Sequence, residues 1–344
     1  MAESYRYRPV SFSHLTNNYA FIHKLELAMK YSLRNMLLAT SLLCFASGCI
    51  KEDRSECNPG VLLKYDYSLN TEHTNLFGAE VGKVTVYVFD EKGFYYGTYS
   101  EEGGHLTNDY QMLLPLPVGN YTTVTWGGKL GTYQVGETNA DETAFQSELK
   151  KGVTHIDDFM LTAENGGQPL VHLDNLYHGR ADVASVYWPG TATTVELIRD
   201  TKHLTVTVED LSVGRGKANG DAPYEVYCTG TNARYLADNS FGKKAEEITN
   251  LPYDTYTEPG KAVSKLNLLR LVIGREFRLT VKDKEGNRVF DKDLVEAMLA
   301  TGRFKTQEDF DREQEYNIVI RMDKDVVISI FINGWEVVDI VPDL

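Results

Sequence analysis

His172, Asp174 and His178 put two imidazoles and a carboxylate within seven residues, donor types that zinc accepts. A zinc site also needs a third protein ligand at a recognisable spacing. None follows, so a pair of loop histidines is the better reading and no metal is expected. Asp283-Lys284-Glu285-Gly286-Asn287 offers oxygen donors for calcium, but Arg288 and Leu294 stand where an EF-hand loop needs its sixth-position glycine and its twelfth-position glutamate. A hairpin turn between Val281 and Val289 accounts for it. Gly214-Arg215-Gly216-Lys217 lacks phosphate-loop spacing, and no Gly-x-Ser-x-Gly elbow occurs. The carboxylates are scattered, whereas an acid-base pair needs a shared pocket and displaced pKa values. No catalytic residue and no cofactor is expected.

The thiols carry more information. Lys30 and Arg34 precede an apolar run from Met36 to Ala46, which ends in Ala46-Ser47-Gly48-Cys49. A run of about eleven residues is short of the roughly 20 that span a bilayer, so it reads as a cleaved secretory signal. The four residues that close it resemble a lipobox, in which small side chains fit a signal peptidase and the cysteine thiol accepts diacylglycerol. Cys49 is therefore the expected lipidation site. Residues 1–48 form the signal, with Met29 a candidate true start. Residues 49–59 then form an acidic tether, where Glu52, Asp53 and Glu56 serve either as an export tag or as plain solvated charge.

Removing residues 1–48 takes away five basic and two acidic side chains and moves the net charge from −14 to −17. Affinity for nucleic acid rests on Lys and Arg neutralising phosphates, so a nucleic-acid partner is not expected. Cys57 and Cys228 remain as a possible disulfide in an oxidising compartment, with two unpaired thiols the open alternative.

Beyond the tether, short runs rich in Val, Thr, Tyr and Ile alternate with Gly, Pro, Asn and Asp, the pattern of an all-β chain. Val61–Ser68 reads as a first strand, with Leu63, Tyr65 and Tyr67 on one face. Val84–Phe89, the turn Asp90-Glu91-Lys92-Gly93 and Phe94–Tyr99 read as a hairpin. Further strands are expected at Thr122–Trp126, Leu170–Leu173, Ala181–Tyr187, Thr193–Ile198, Leu204–Val208, Tyr224–Cys228, Leu266–Ile273 and Phe277–Val281. Ala144–Lys151 reads as a short helix or an irregular crossover, and Asp291–Leu299 as the clearest helix, stopped at Gly302. Two strand sets imply two antiparallel β-sandwich domains in tandem, over residues 60–197 and 198–344.

Several of these pieces together resemble the FimB-type fimbrial anchor family of Bacteroidales-type, type V fimbriae. Its carriers are Cys49 with Cys57-Asn58-Pro59, Val84–Asp90 with Gly93, Leu114-Pro115 through Gly119-Asn120-Tyr121, and Trp126-Gly127-Gly128. Leu176–Gly179 and Ile332–Val337 complete the set. The resemblance implies two transthyretin-like domains, attachment to the outer membrane through the lipid, and a fimbrial stalk subunit as partner, joined by strand exchange. Related stalk subunits lose their first strand to an Arg-specific protease. Here Arg54 precedes that strand and the next arginine is Arg180, so the strand is expected to survive.

The segment from Val326 to Val341 has the pattern of an assembly element. Ile328, Ile330 and Ile332 share a face, and Trp335 and Val337 join it after a turn or bulge at Asn333-Gly334. It either donates pairing to a neighbour or finishes its own sheet. A glycan-binding surface lipoprotein is the rival function, with Trp126, Trp188 and Trp335 as candidate platform residues.

Overall fold

The computed structural model describes residues 58–163, 167–212, 224–243, 247–323 and 326–337. The signal segment, Cys49, Arg54, Cys57, residues 214–217 and residues 338–341 lie outside the described residues. The described residues form a single compact unit.

Its first half carries β1 (Pro59–Asp66), a four-residue helix α1 (Phe77–Glu80), β2 (Lys83–Asp90), β3 (Tyr95–Glu102), β4 (Gln111–Leu114) and β5 (Gly119–Gly127). There follow β6 (Gln134–Thr138), β7 (Phe145–Gln146), β8 (Phe159–Thr162), β9 (Tyr177–Tyr187), β10 (Thr193–Glu196) and β11 (Ile198–Arg199). The second half opens with β12 (Lys202–Asp210), β13 (Glu225–Gly230), β14 (Arg234–Leu236), β15 (Ile248–Asn250), β16 (Asp254–Glu258) and β17 (Lys261–Leu268). It closes with β18 (Phe277–Lys282), β19 (Arg288–Asp293), α2 (Leu294–Ala300), α3 (Gln307–Arg312), β20 (Glu315–Asp323), β21 (Val326–Ile332) and β22 (Trp335–Glu336).

The main sheet of the first half runs β10-β1-β9-β5-β2-β3, with β4 paired to β1 and β11 to β9 off that path. Alternation in β2 explains why this sheet is covered on both sides. Val84, Val86 and Val88 enter one core with Leu63, Tyr65 and Tyr67, while Tyr87 and Phe89 enter another with Trp126 and Phe159. In the second half, the sheet β16-β17-β12-β20-β21-β22 packs against β15-β13-β18-β19 through Leu204, Val206, Val208, Leu279, Ile318 and Ile320. Most pairs are antiparallel. Two are parallel, β1 with β10 and β12 with β20, so each half returns a late strand beside its first.

The fourth sheet, β14-β8-β6-β7, takes β14 from the second half and the rest from the first. Tyr235 pairs there with Leu161 and packs with Trp126, Phe159 and Leu269 in a core shared by both halves.

The expected hairpin forms after β2, where the Asp90 carboxylate accepts hydrogen bonds from the amides of Lys92 and Phe94 and Gly93 adopts φ of 83°. Several expectations are corrected. Leu170–Leu173 makes one bridge, Leu170 to Asn250, because Leu170 and Leu173 are drawn into the shared core rather than along a neighbouring strand. The strand expected through Ile273 stops at Leu268, since Leu269 and Leu271 turn inward into different cores. Ala144–Lys151 forms no helix and is the irregular crossover, apart from the two-residue β7. The helix begins at Leu294 because Asp293 caps it, accepting from the amide of Glu296, while Asp291 and Lys292 complete β19.

Candidate functional site

The chain passes from one half to the other through Ile198–Lys202, a place where solvated linker residues would be ordinary. Instead Arg199, Asp200, Thr201 and Lys202 are all buried. Burial of such groups is costly unless each is paired, so their partners decide whether the junction holds.

The partners come from both halves. Lys202 donates to the carbonyls of Asp311 at 2.8 Å and Glu313 at 2.7 Å, at the end of α3. Arg270 grips the Asp311 carboxylate with Nε and Nη2, both at 2.7 Å, and donates to the Asn239 carbonyl. Asn239 in turn donates to Asp200 at 3.0 Å. Arg199 donates to Gln314 of the second half and Asn175 of the first, and its Nη1 lies 3.4 Å from Glu80. Gln314 donates to the Tyr67 hydroxyl. Burial raises the pKa of Asp200 and lowers that of Lys202. It works against the Arg270 charge too, but the Asp311 and Asp200 carboxylates outweigh it and hold the guanidinium protonated. These polar groups are largely engaged with one another and with backbone, an arrangement suited to fixing geometry.

The two histidines are separated. His172 is exposed, with its ring 6.1 Å from that of Tyr253. His178 is buried on β9, 4.7 Å from the Trp126 ring, and its Nε2 lies 3.1 Å from the Ala237 carbonyl, to which it donates as the neutral tautomer. Asp174 accepts from the Gly131 amide. Among the described residues no group of three or more His, Cys, Asp or Glu stands together as a metal-binding set.

Burial is the largest influence on His178 and lowers its pKa from 6.5 to about 4; the Arg270 and Arg180 charges also push it down, while the Ala237 carbonyl and Asp238 oppose them. Between those values the unfolded chain binds a proton that the folded one refuses, so stability falls as pH drops from 6.5 toward 4. A depression of that size corresponds to about 3 kcal/mol. Urea midpoints at both ends of this window should converge in a His178→Gln variant; an acid loss as steep as in the parent protein would assign that limb to other groups.

Of the three tryptophans, Trp126 is fully buried in the shared core, which removes it from any glycan platform. Trp188 and Trp335 are exposed, in different halves. The expected assembly row also divides. Ile330, Ile332 and Val337 belong to the core of the second half, whereas Ile328 is 53% exposed and Trp335 faces Arg303 across 5.3 Å. Asn333 and Gly334, at φ of 47° and 83°, form the two-residue turn that joins β21 to β22. Cys228 is fully buried in the same core, and burial pushes its thiol up to about 12.

The junction residues escaped the sequence reading because Arg199, Asp200 and Lys202 look like surface charge, and their partners lie as far as 119 residues away. One local signal was available. Thr306 and Asp309 form a capping box at the start of α3, the helix that presents Asp311.

The sequence model of the fimbrillin-A associated anchor proteins Mfa1 and Mfa2 matches residues 54–341. The minor fimbrium anchoring subunit Mfa2 of Porphyromonas gingivalis is 28% identical over 301 residues, covering 83% of this chain and 87% of that protein. A solved structure of the P. gingivalis fimbrial anchor protein Mfa2 shares the fold, with a TM-score of 0.65 at 23% identity over 81% of this chain and 99% of the other. A protein of Bacteroides thetaiotaomicron, provisionally described as polysaccharide-binding, aligns with a TM-score of 0.70 at 28% identity, over 80% and 96% of the two chains. The all-β architecture and the match along nearly the whole region from Arg54 onward agree, and the chain belongs to the family of fimbrillin-A associated anchor proteins Mfa1 and Mfa2.

Proposed function

We propose that this chain is a fimbrial anchor subunit, held at the outer membrane by acyl chains on Cys49 and joined to a stalk subunit by strand exchange. The family match over residues 54–341 carries the reading. Retention of β1 is part of it. That strand pairs with β4, β9 and β10 and fills its own core, as suits an anchor that accepts no donor strand. The pairing element offered outward is the C-terminal hairpin, where Val326, Ile328 and Trp335 remain exposed while Ile330, Ile332 and Val337 hold the hairpin to the protein. The two domains, over residues 60–197 and 198–344, act as one lever because the junction locks them.

Fatty-acid labelling in cells tests the anchor: Cys49→Ala should lose the label and release the protein and its fimbriae from the membrane fraction. Ile328→Lys should keep the label and the fold and shed fimbriae, since Ile328 is exposed. Labelled Cys49→Ala protein, or wild-type retention with Ile328→Lys, removes the corresponding half of the reading. A bridge between Cys57 and Cys228 would tie the tether to the second core. Non-reducing peptide mapping with N-terminal sequencing should show the linked peptide and a start before Pro59; two alkylatable thiols, or a start after Ser68, rejects that part.

A further inference from the structure

One end of the first half gathers uncharged stretches in a chain whose net charge is −14. Three stretches without a single Asp, Glu, Lys or Arg, residues 58–63, 111–128 and 183–195, are distant in sequence. Strand pairing brings them together. Pro59 and Gly60 at the start of β1 lie opposite Tyr187 and Val186 at the end of β9, Leu62 lies opposite Leu113 on β4, and Gly119 lies opposite Ser185. Directly opposed residues share a face, and so do residues two apart, so Leu62, Leu113 and Val186 stand in one outward row around Gly60. The Leu113 side chain comes to 3.0 Å of where a Gly60 Cβ would stand, so glycine keeps the row continuous.

Leu113, Val118, Val186, Tyr187 and Trp188 at this end are all exposed. Leu113 and Val186 share the outward face by register while Tyr187 falls on the other face of β9, and this many exposed apolar side chains at one end differ from the single ones scattered over an ordinary surface. Trp188 is 71% exposed and its backbone has φ of 58°, an unfavourable conformation for a bulky residue and unusual before a proline, here Pro189.

The fold begins at this same end. Cys49 precedes Pro59 by ten residues, which at full extension reach roughly 35 Å. With acyl chains on Cys49, this pole is the part of the protein that the tether holds to the bilayer. Trp and Tyr partition to the water–lipid boundary, and exposed apolar side chains beside them add area that lipid can bury. We infer that the pole formed by Leu113, Val118, Val186, Tyr187 and Trp188 seats directly on the membrane surface, so that lipid contact sets the orientation of the protein above the bilayer. The inference rests on the anchor reading for its geometry, but the contact is testable without the acyl chains.

The chain from residue 49 onward, carrying Cys49→Ser, is mixed with phosphatidylcholine vesicles containing brominated lipid, and tryptophan quenching is recorded. Quenching should persist in Trp335→Ala and vanish in Trp188→Ala. The Leu113→Ser/Val118→Ser/Val186→Ser variant should weaken vesicle binding about tenfold or more, by loss of buried apolar area. These side chains are exposed, and an unchanged urea midpoint shows that each variant is folded. Equal quenching in Trp188→Ala, or binding that follows Trp335 instead, overturns the seating. So does a dimer in sedimentation that the same substitutions abolish without vesicle quenching, which would assign the pole to a second copy. Failed acylation of Cys49 in cells would sink the anchor reading while leaving this vesicle result standing.

Discussion

Replacing Arg270 with alanine should cost the fold about 3–5 kcal/mol, the range for breaking a buried ion pair from one side. The guanidinium makes two 2.7 Å bonds to Asp311, donates to the Asn239 carbonyl and has Nε 3.8 Å from Asp200. Without it, two buried carboxylates lose their nearest cation, and Asp200 already has one oxygen without a hydrogen-bond partner among the described residues. Both must then be protonated or hydrated. Pairing the change with Asp311→Leu should recover part of the loss, because the penalty lies in the stranded charge rather than in the missing attraction. Urea midpoints measure both. A loss below about 1 kcal/mol would mean that water reaches the pair as it reaches surface ion pairs.

Trp126→Ala should be comparably damaging, at about 3–5 kcal/mol, as expected for deleting a large core aromatic. Trp126 sits on β5 with its ring 4.7 Å from His178 and 5.9 Å from Tyr235, so it joins the main sheet of the first half to a strand contributed by the second. The cavity would open where the two halves meet. A single, less stable urea transition keeps the halves cooperative, whereas two separated transitions would show that this core couples them. Trp126→Phe should cost less, since it fills most of the volume and removes an indole N–H that has no hydrogen-bond partner among the described residues. If phenylalanine proves as costly as alanine, ring shape rather than volume governs the site.

The elements that local pattern could reveal were those with one dominant reason to form. β1, β2 and the hairpin to β3 follow from alternation, β-branched and aromatic residues and the Asp90–Gly93 turn. β20 was equally legible. Its burial alternates from Tyr316 through Ile318, Ile320 and Met322, with Arg321 the one charged residue between them. β6, β8 and β14 were not legible, since their sheet exists only where the two halves meet. Leu170–Leu173 had strand-like residues and no strand, because burial there is set by the shared core.

By itself, the sequence determined the all-β class, the family resemblance and the residues expected at the envelope, because hydrophobic period, turn chemistry and the signal-like N-terminus are local properties of a chain. Tertiary structure decided what each charged or aromatic residue is for. It buried Arg199 and Lys202 with partners more than a hundred residues distant and Asp200 with Asn239 and Arg270, put Trp126 inside and left Trp188 outside, and divided the C-terminal isoleucines between core and surface. It also gathered three uncharged stretches into one pole. Burial depends on which distant segments pack together, and long-range pairing, unlike periodicity, is not written at any single position.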